Sequence, residues 1–317
     1  MGIYLEGEVI RRTRESLGIT QEELCDGICS VETLSRIENG KNMPSRANFE
    51  ALMGRMGKSG KKYLPFIRSQ DIEDFLLKEE LERLMSVHDY QATEQKLKEM
   101  EERLNLNDPV NRQYVLRMRA IVDAGLGYIS IKERREKLEE ALACTIPDFS
   151  EDVLEKGMLN EQEMRILCNI AMTYMEEEDF EHSIDILKKL EKYLETIHMG
   201  DKERIQRLVL SNLGHALGRS LKVEESQEVR QKALRLAKKE ENVGSLASIL
   251  YGMAYNDEIL HREKRECLER MVQVYVLAES TGNQYMMKHV KNHIIEVYGG
   301  ETWQTINNHL DHHHLME

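Results

Sequence analysis

A chain of 317 residues is long enough for two or more cores, and 4 prolines, 5 phenylalanines and 1 tryptophan beside 32% charged residues favour long helices over a β-sandwich. No apolar run approaches the roughly 18 residues of a membrane span, MGIYLEGEVI lacks the basic-then-apolar pattern of a secretion signal, and five scattered cysteines read as reduced thiols, so a cytoplasmic location is expected. The net charge of −13 divides unevenly, because residues 1–68 hold 11 Lys/Arg against 9 Asp/Glu while the remainder holds 33 against 48, which confines any phosphate-binding surface to the N-terminal part.

The most informative stretch is TQEELCDGICSVETLSRIENGKNMPSR, residues 20–46. Thr20 and Glu23 stand at the S/T-x-x-E spacing of a capping box and open one short helix. Gly27 marks a turn, and Ser30 is placed to cap a second helix. Leu34 and Ile37 form that helix's inward face, leaving Val31, Glu32, Thr33 and Arg36 to project outward. A short helix with polar side chains near its N-terminus fits a DNA major groove. Arg36 is the candidate reader of guanine, Glu32 can accept from cytosine N4, Thr33 can bond a base edge, and Val31 suits a thymine methyl. Cations cluster after this helix at Lys41, Arg46, Arg55, Lys58, Lys61 and Lys62. Cys25 and Cys29 have no second pair nearby, so no metal site is expected.

On these motifs, residues 7–57 resemble a lambda-repressor-type (XRE-type) helix-turn-helix domain, from the first helix through LGITQEEL and TLSRIENGK to Pro44-Ser45. The turn at Cys25–Ser30 is one residue shorter than the common pattern. The resemblance implies that Gln21 contacts a phosphate or positions Glu32, that Asn39, Lys41 and Arg46 contact the DNA backbone, and that Arg14 and Glu38 form a partly buried ion pair.

Residues 57–69, GKSGKKYLPFIRS, hold two glycines, a proline and four cations and read as the exit from this domain. The expected division is a DNA-binding domain over 1–62, a linker over 63–70 and a repeat domain over 71–317. No proline follows Pro147, and apolar residues recur at three and four, as at Leu81, Leu84, Met85 and at Ile184, Leu187, Leu190. Superposition exposes a repeat. Ala171, Tyr174, Ser183, Leu187 and Leu190 align with Gly214, Leu217, Ser226, Arg230 and Ala233, and Gly252 with Tyr255 starts a further unit. These offsets resemble tetratricopeptide-type helical hairpins, although the spacing exceeds the ideal of about 34 residues. Regions 71–104 and 112–144 are expected to supply two earlier hairpins, about five in all. The expected fold is therefore all-α: a lambda-repressor-like helix-turn-helix domain followed by a tetratricopeptide-like superhelix with a concave, peptide-sized face.

On that face, Asn169 and Asn212 each precede a hairpin's small residue by two positions, and Asn292 repeats the arrangement later. Their amides can pair with the backbone of an extended peptide, or can tie neighbouring helices together. Arg165 could meet a peptide carboxylate, and Lys288 and His289 are weaker versions of the same idea. The histidine-rich tail 309–317 reads as a frayed polar terminus. No phosphate-cradling glycine loop, HExxH or nucleophile elbow occurs, so neither catalysis nor a cofactor is expected.

An XRE-type module followed by such hairpins resembles the RRNPP-type receptors, which are cytoplasmic regulators that bind short signalling peptides. The resemblance implies a homodimer on a palindromic DNA operator, quorum-sensing control of transcription, and no membrane partner. Two alternatives stay open at this stage: capture of a protein partner by the repeat domain, and repression without any ligand.

Overall fold

The computed structural model describes residues 6–58, 69–147, 149, 158–197, 202–240 and 243–314. Every regular element among them is a helix. Four short helices come first: α1 (Glu6–Ser16), α2 (Gln21–Cys25), α3 (Val31–Glu38) and α4 (Arg46–Arg55). Twelve longer ones follow as six successive pairs: α5 (Ser69–Ser86) and α6 (Tyr90–Arg103), α7 (Pro109–Gly125) and α8 (Ile131–Ala143), α9 (Glu161–Glu176) and α10 (Phe180–Thr196), α11 (Lys202–Arg219) and α12 (Val223–Lys239), α13 (Val243–Ile259) and α14 (Lys264–Ser280), α15 (Gln284–Tyr298) and α16 (Gly300–His314). The last pair exceeds the expected five. Residues 309–314, expected to fray, continue α16. Of the expected linker, 63–68 lie outside the described residues, as do Lys61 and Lys62, while 69 and 70 already belong to α5.

The helices begin where local chemistry starts them. The Thr20–Glu23 capping box closes in both directions, with Glu23 N–H donating to Thr20 Oγ1 at 3.2 Å and Thr20 N–H donating to Glu23 Oε2 at 2.8 Å. Each bond satisfies a backbone donor that helix geometry leaves unpaired. Ser130–Glu133 and Asn160–Glu163 repeat the device at α8 and α9. Pro109, following the Asp108 cap, starts α7 at the position where its missing N–H costs nothing.

Two compact units make up the chain. The first comprises residues 1–82 and 90–206, the second 83–89 and 207–317. In the first, Val9, Ile10, Leu24, Leu34, Ile37, Phe49, Leu52 and Met53 fill the core of the four short helices. α1 approaches the end of α3 so closely that a Cβ at Gly7 would lie 1.8 Å from the Ile37 carbonyl oxygen, so only glycine fits. Arg12 Nη2 donates to the Thr196 carbonyl at the end of α10. In the second unit, Ala254, Met271, Val274, Val290, Ile294 and Trp303 form one core cluster, while Leu210, Ala233, Ala237 and Ile249 form another. The small repeat residues act as expected: Ser226 Oγ donates to the Gly214 carbonyl at 2.6 Å, locking α12 against α11.

Candidate functional site

The first candidate surface is the edge of α3. Ser30 caps it through Thr33 N–H, and the chain leaves through Gly40 at φ +69, with Lys41 N–H returned to the Arg36 carbonyl at 2.8 Å. Leu34 and Ile37 are buried, whereas Val31, Glu32 and Arg36 are exposed. Arg36 makes no ion pair among the described residues. Thr33 is half-buried, its hydroxyl 2.8 Å from that of Ser30. Asn39 is exposed at the helix end and donates to the Ser35 carbonyl, Lys41 is exposed, and the Arg46 side chain lies outside the described residues.

Behind this edge sits a polar knot. Arg14 donates to both oxygens of Glu38, at 2.7 and 2.9 Å, and the carboxylate is 3% exposed. Burial lowers the Arg14 pKa, but its bond to Glu38 outweighs this and raises it. Gln21 donates to the same carboxylate at 2.6 Å. Its amide is therefore turned toward Glu38, a tie between α2 and α3, and makes no bond to Glu32 among the described residues. Arg55 donates to the Leu24 and Asp26 carbonyls at the end of the short α2, completing acceptors that a shortened turn would leave open.

The second group of candidates divides between the two units. In unit one, Arg165 donates to Glu161 at 2.8 Å and stands 3.7 Å from Glu82. The carboxylate once reserved for a ligand is supplied by the protein itself. Arg117 bonds Glu82 at 3.1 Å and also donates to Asn169 Oδ1 at 3.1 Å, so Asn169 ties helices together. Burial alone would raise the Glu82 carboxyl, but Arg117, Arg165 and Arg204 outweigh it and hold the pKa below its ordinary value.

Unit two holds Asn212, half-buried and without a partner among the described residues, together with the exposed Lys288, His289 and Asn292. His289 belongs to a strip of rings whose other members were not among the sequence-based site candidates. His88 and Tyr285 have centroids 4.1 Å apart, Tyr285 stacks on His289 at 6.2 Å, and Tyr251 meets His289 edge-on at 4.8 Å. Tyr251 and Tyr255 both meet His293, which bonds Glu258 at 2.7 Å. The signal lay in i, i+4 pairs, Tyr251 with Tyr255 on α13 and His289 with His293 on α15, which place each pair on one helix face. Burial, then the neighbouring Glu258, pushes the Tyr251 phenol up to about 12.

Beside this strip lies Arg230, at the repeat position that Leu187 fills one hairpin earlier. It is 7% exposed, and its sole hydrogen bond among the described residues runs from Nε to Ser226 Oγ at 3.3 Å. Glycines make its room: a Cβ at Gly214 would lie 2.7 Å from Arg230 Cγ, and one at Gly252 would lie 2.0 Å from Nη1. No carboxylate pairs with it among the described residues. Burial pushes its pKa down to about 10, so it keeps its charge at neutral pH. His215 is exposed, yet desolvation by the surrounding protein and then the charges of Arg230, Arg219 and His289 push its pKa down to about 4.

A helix-turn-helix family profile matches residues 10–61. That stretch carries the α3 edge and the whole polar knot behind it. No curated protein matches the chain. Among solved structures, PlcR from Bacillus thuringiensis in complex with the peptide PapR7 and DNA is similar at 20% identity and TM-score 0.62, covering 90% of this chain and 98% of that one. ComR from S. thermophilus, in complex with DNA and its signalling peptide ComS, is 19% identical with TM-score 0.53, covering 92% and 99%. ComR from Streptococcus vestibularis with its signalling peptide XIP is 17% identical with TM-score 0.53, covering 90% and 96%. At such identities the likeness is one of fold: a helix-turn-helix domain followed by paired helical repeats. No helix among the described residues is long and apolar enough to cross a membrane.

Proposed function

We propose that this chain is a cytoplasmic DNA-binding transcriptional regulator whose repeat region senses a short intracellular signalling peptide, an RRNPP-type receptor without enzymatic activity. The observation that carries the reading is the α3 edge, where Val31, Glu32 and Arg36 stand exposed while Arg14, Gln21 and Glu38 are committed behind them. Division of labour within one short helix is what base reading requires: one face fixes the angle and the other stays available. Val31, Glu32, Thr33 and Arg36 are the proposed base contacts, and Asn39, Lys41 and Arg46 the proposed backbone contacts. The fold shared with PlcR and ComR supports assigning peptide recognition to the helical pairs beyond residue 70.

A module of this size buries only about 600–1,000 Å² on DNA, so a homodimer on a palindromic operator is part of the proposal. The peptide acts by preferring one arrangement of the repeats. A ligand moves such an equilibrium only by its differential affinity, and couplings of about 1–3 kcal/mol are usual. Asn212, Asn292 and Lys288 are the proposed peptide contacts still open to solvent. Asn169 and Arg165 are engaged within unit one, where they hold its helices in place.

The test is a gel shift of the full chain on its own promoter region, with and without synthetic peptides of 5–10 residues encoded nearby. The expected result is a sequence-selective shift, lost in Arg36→Ala, whose midpoint moves when a peptide is added. Equal binding to scrambled DNA would sink the DNA reading, and a midpoint indifferent to every peptide would sink the sensing reading.

A further inference from the structure

We infer that Arg230 is the receptor for a carboxylate on the ligand of unit two. The inference rests on the peptide-sensing reading and narrows it to a class of ligand: a peptide that places its C-terminal carboxylate, or an Asp or Glu side chain, against this guanidinium.

Three observations converge. First, Arg230 is a cation nine-tenths buried that, among the described residues, bonds only a serine hydroxyl. Charges in such places are ordinarily paired, because a buried charge without a partner is costly. The two acids of α13, the helix that carries Gly252, are already engaged: Asp257 by Arg270 and Gln227, Glu258 by His293 and Tyr298. Second, the side chain is aimed. It leaves α12 past Gly214 and lays its guanidinium on Gly252 of α13, where any side chain would collide with it. Two glycines in facing helices thus clear a passage for one long cation. Among the described residues its terminal nitrogens donate to nothing, yet they keep contact with solvent, so the fork-shaped edge that binds carboxylates in two parallel bonds is free there. Third, the surroundings suit a peptide end. Tyr251 and His215 are close enough to interact electrically with Arg230, and the ring strip of Tyr251, Tyr255, Tyr285, His289 and His293 continues from there. Rings give apolar side chains a wall, while the cation fixes one end of the ligand.

The contrast with Arg165 is the internal control. That arginine, the sequence-based candidate for the same task, is matched by Glu161 and Glu82. Arg230 has the burial without the match.

The experiment exposes the full chain to three pools of random heptapeptides and identifies by mass spectrometry those that are retained. One pool has free C-termini and no Asp or Glu, the second has amidated C-termini with one Asp or Glu, and the third is amidated and acid-free. Retention from the first pool assigns the anion to the C-terminus and from the second to a side chain, and either supports the inference. Retention from the third at equal strength overturns it while leaving peptide sensing standing. Arg230→Met should weaken the retained peptides about 100-fold, and Arg230→Lys, which keeps charge but loses the fork, by an intermediate factor. An affinity within about threefold of the native protein in both variants overturns the inference. If no pool is retained, peptide sensing fails, and acetate and succinate become the probes. Stabilisation of the native protein but not of Arg230→Met keeps the carboxylate site, and equal response of the two removes it.

Discussion

Units one and two each bury arginine side chains in their helical pairs and match most of them with acids, as Glu240 matches Arg207 in unit two, but no acid answers Arg230 among the described residues. Arg117 and Arg165 share Glu82, with Glu161 closing the network, whereas Arg230 faces two glycines and a serine. The same side chain therefore serves opposite ends. Where its charge is answered within the fold it ties helices together, and where it is unanswered it remains available to a visitor. The short N-terminal helices repeat the distinction, with Arg14 clasped by Glu38 and Arg36 left exposed.

The strongest challenge to this comparison is Glu82→Gln, which removes the shared acid from two arginines. It should cost about 3 kcal/mol in urea denaturation, since breaking a buried pair strands its partner. A cost below about 1 kcal/mol would mean the network is incidental. Arg230→Met should go the other way, raising the stability of the ligand-free chain by about 1–2 kcal/mol as an unmatched charge gives way to apolar packing. A loss of similar size would show that Arg230 holds the fold. Arg36→Ala should change stability by less than about 0.5 kcal/mol while reducing operator binding by about tenfold or more. The smallest effect concerns His215, whose pKa lies near 4 against an ordinary 6.5. Folding favours its neutral form, so the stabilisation is complete above pH 6.5 and is lost as pH falls toward 4, with Arg230, Arg219 and His289 as the facing cations. Thermal melts should then show the native protein losing more stability than His215→Gln across that window, and parallel curves would refute it.

Much of this architecture was legible because its signals are local. The capping box at Thr20–Glu23, the Ser30 cap and the buried Leu34–Ile37 face all follow from neighbours three residues apart. Repeat positions such as Ala171 and Gly214 were equally open to reading, since close helix approach demands small residues at fixed offsets. Polar partnerships between distant positions were not. Arg165 meets Glu82 across 83 positions and Arg117 meets Asn169 across 52, and no periodicity encodes which acid or amide will face which arginine. Arg230 was half visible. Aligning it with Leu187 places a cation at an apolar position, a local contradiction of the kind that marks a working residue. Gly214 and Gly252 stood in the same alignment, but nothing in it said that both face this cation.

One bond described above also bears on how such a protein can diverge. Arg12 of α1 is anchored to the carbonyl of Thr196, a main-chain acceptor at the open end of α10. Replacing the residue at 196 leaves that oxygen in place, so half of the latch is indifferent to mutation. Inherited variation in this one tie therefore acts through position 12, where one codon can loosen it without disturbing the helix that receives it.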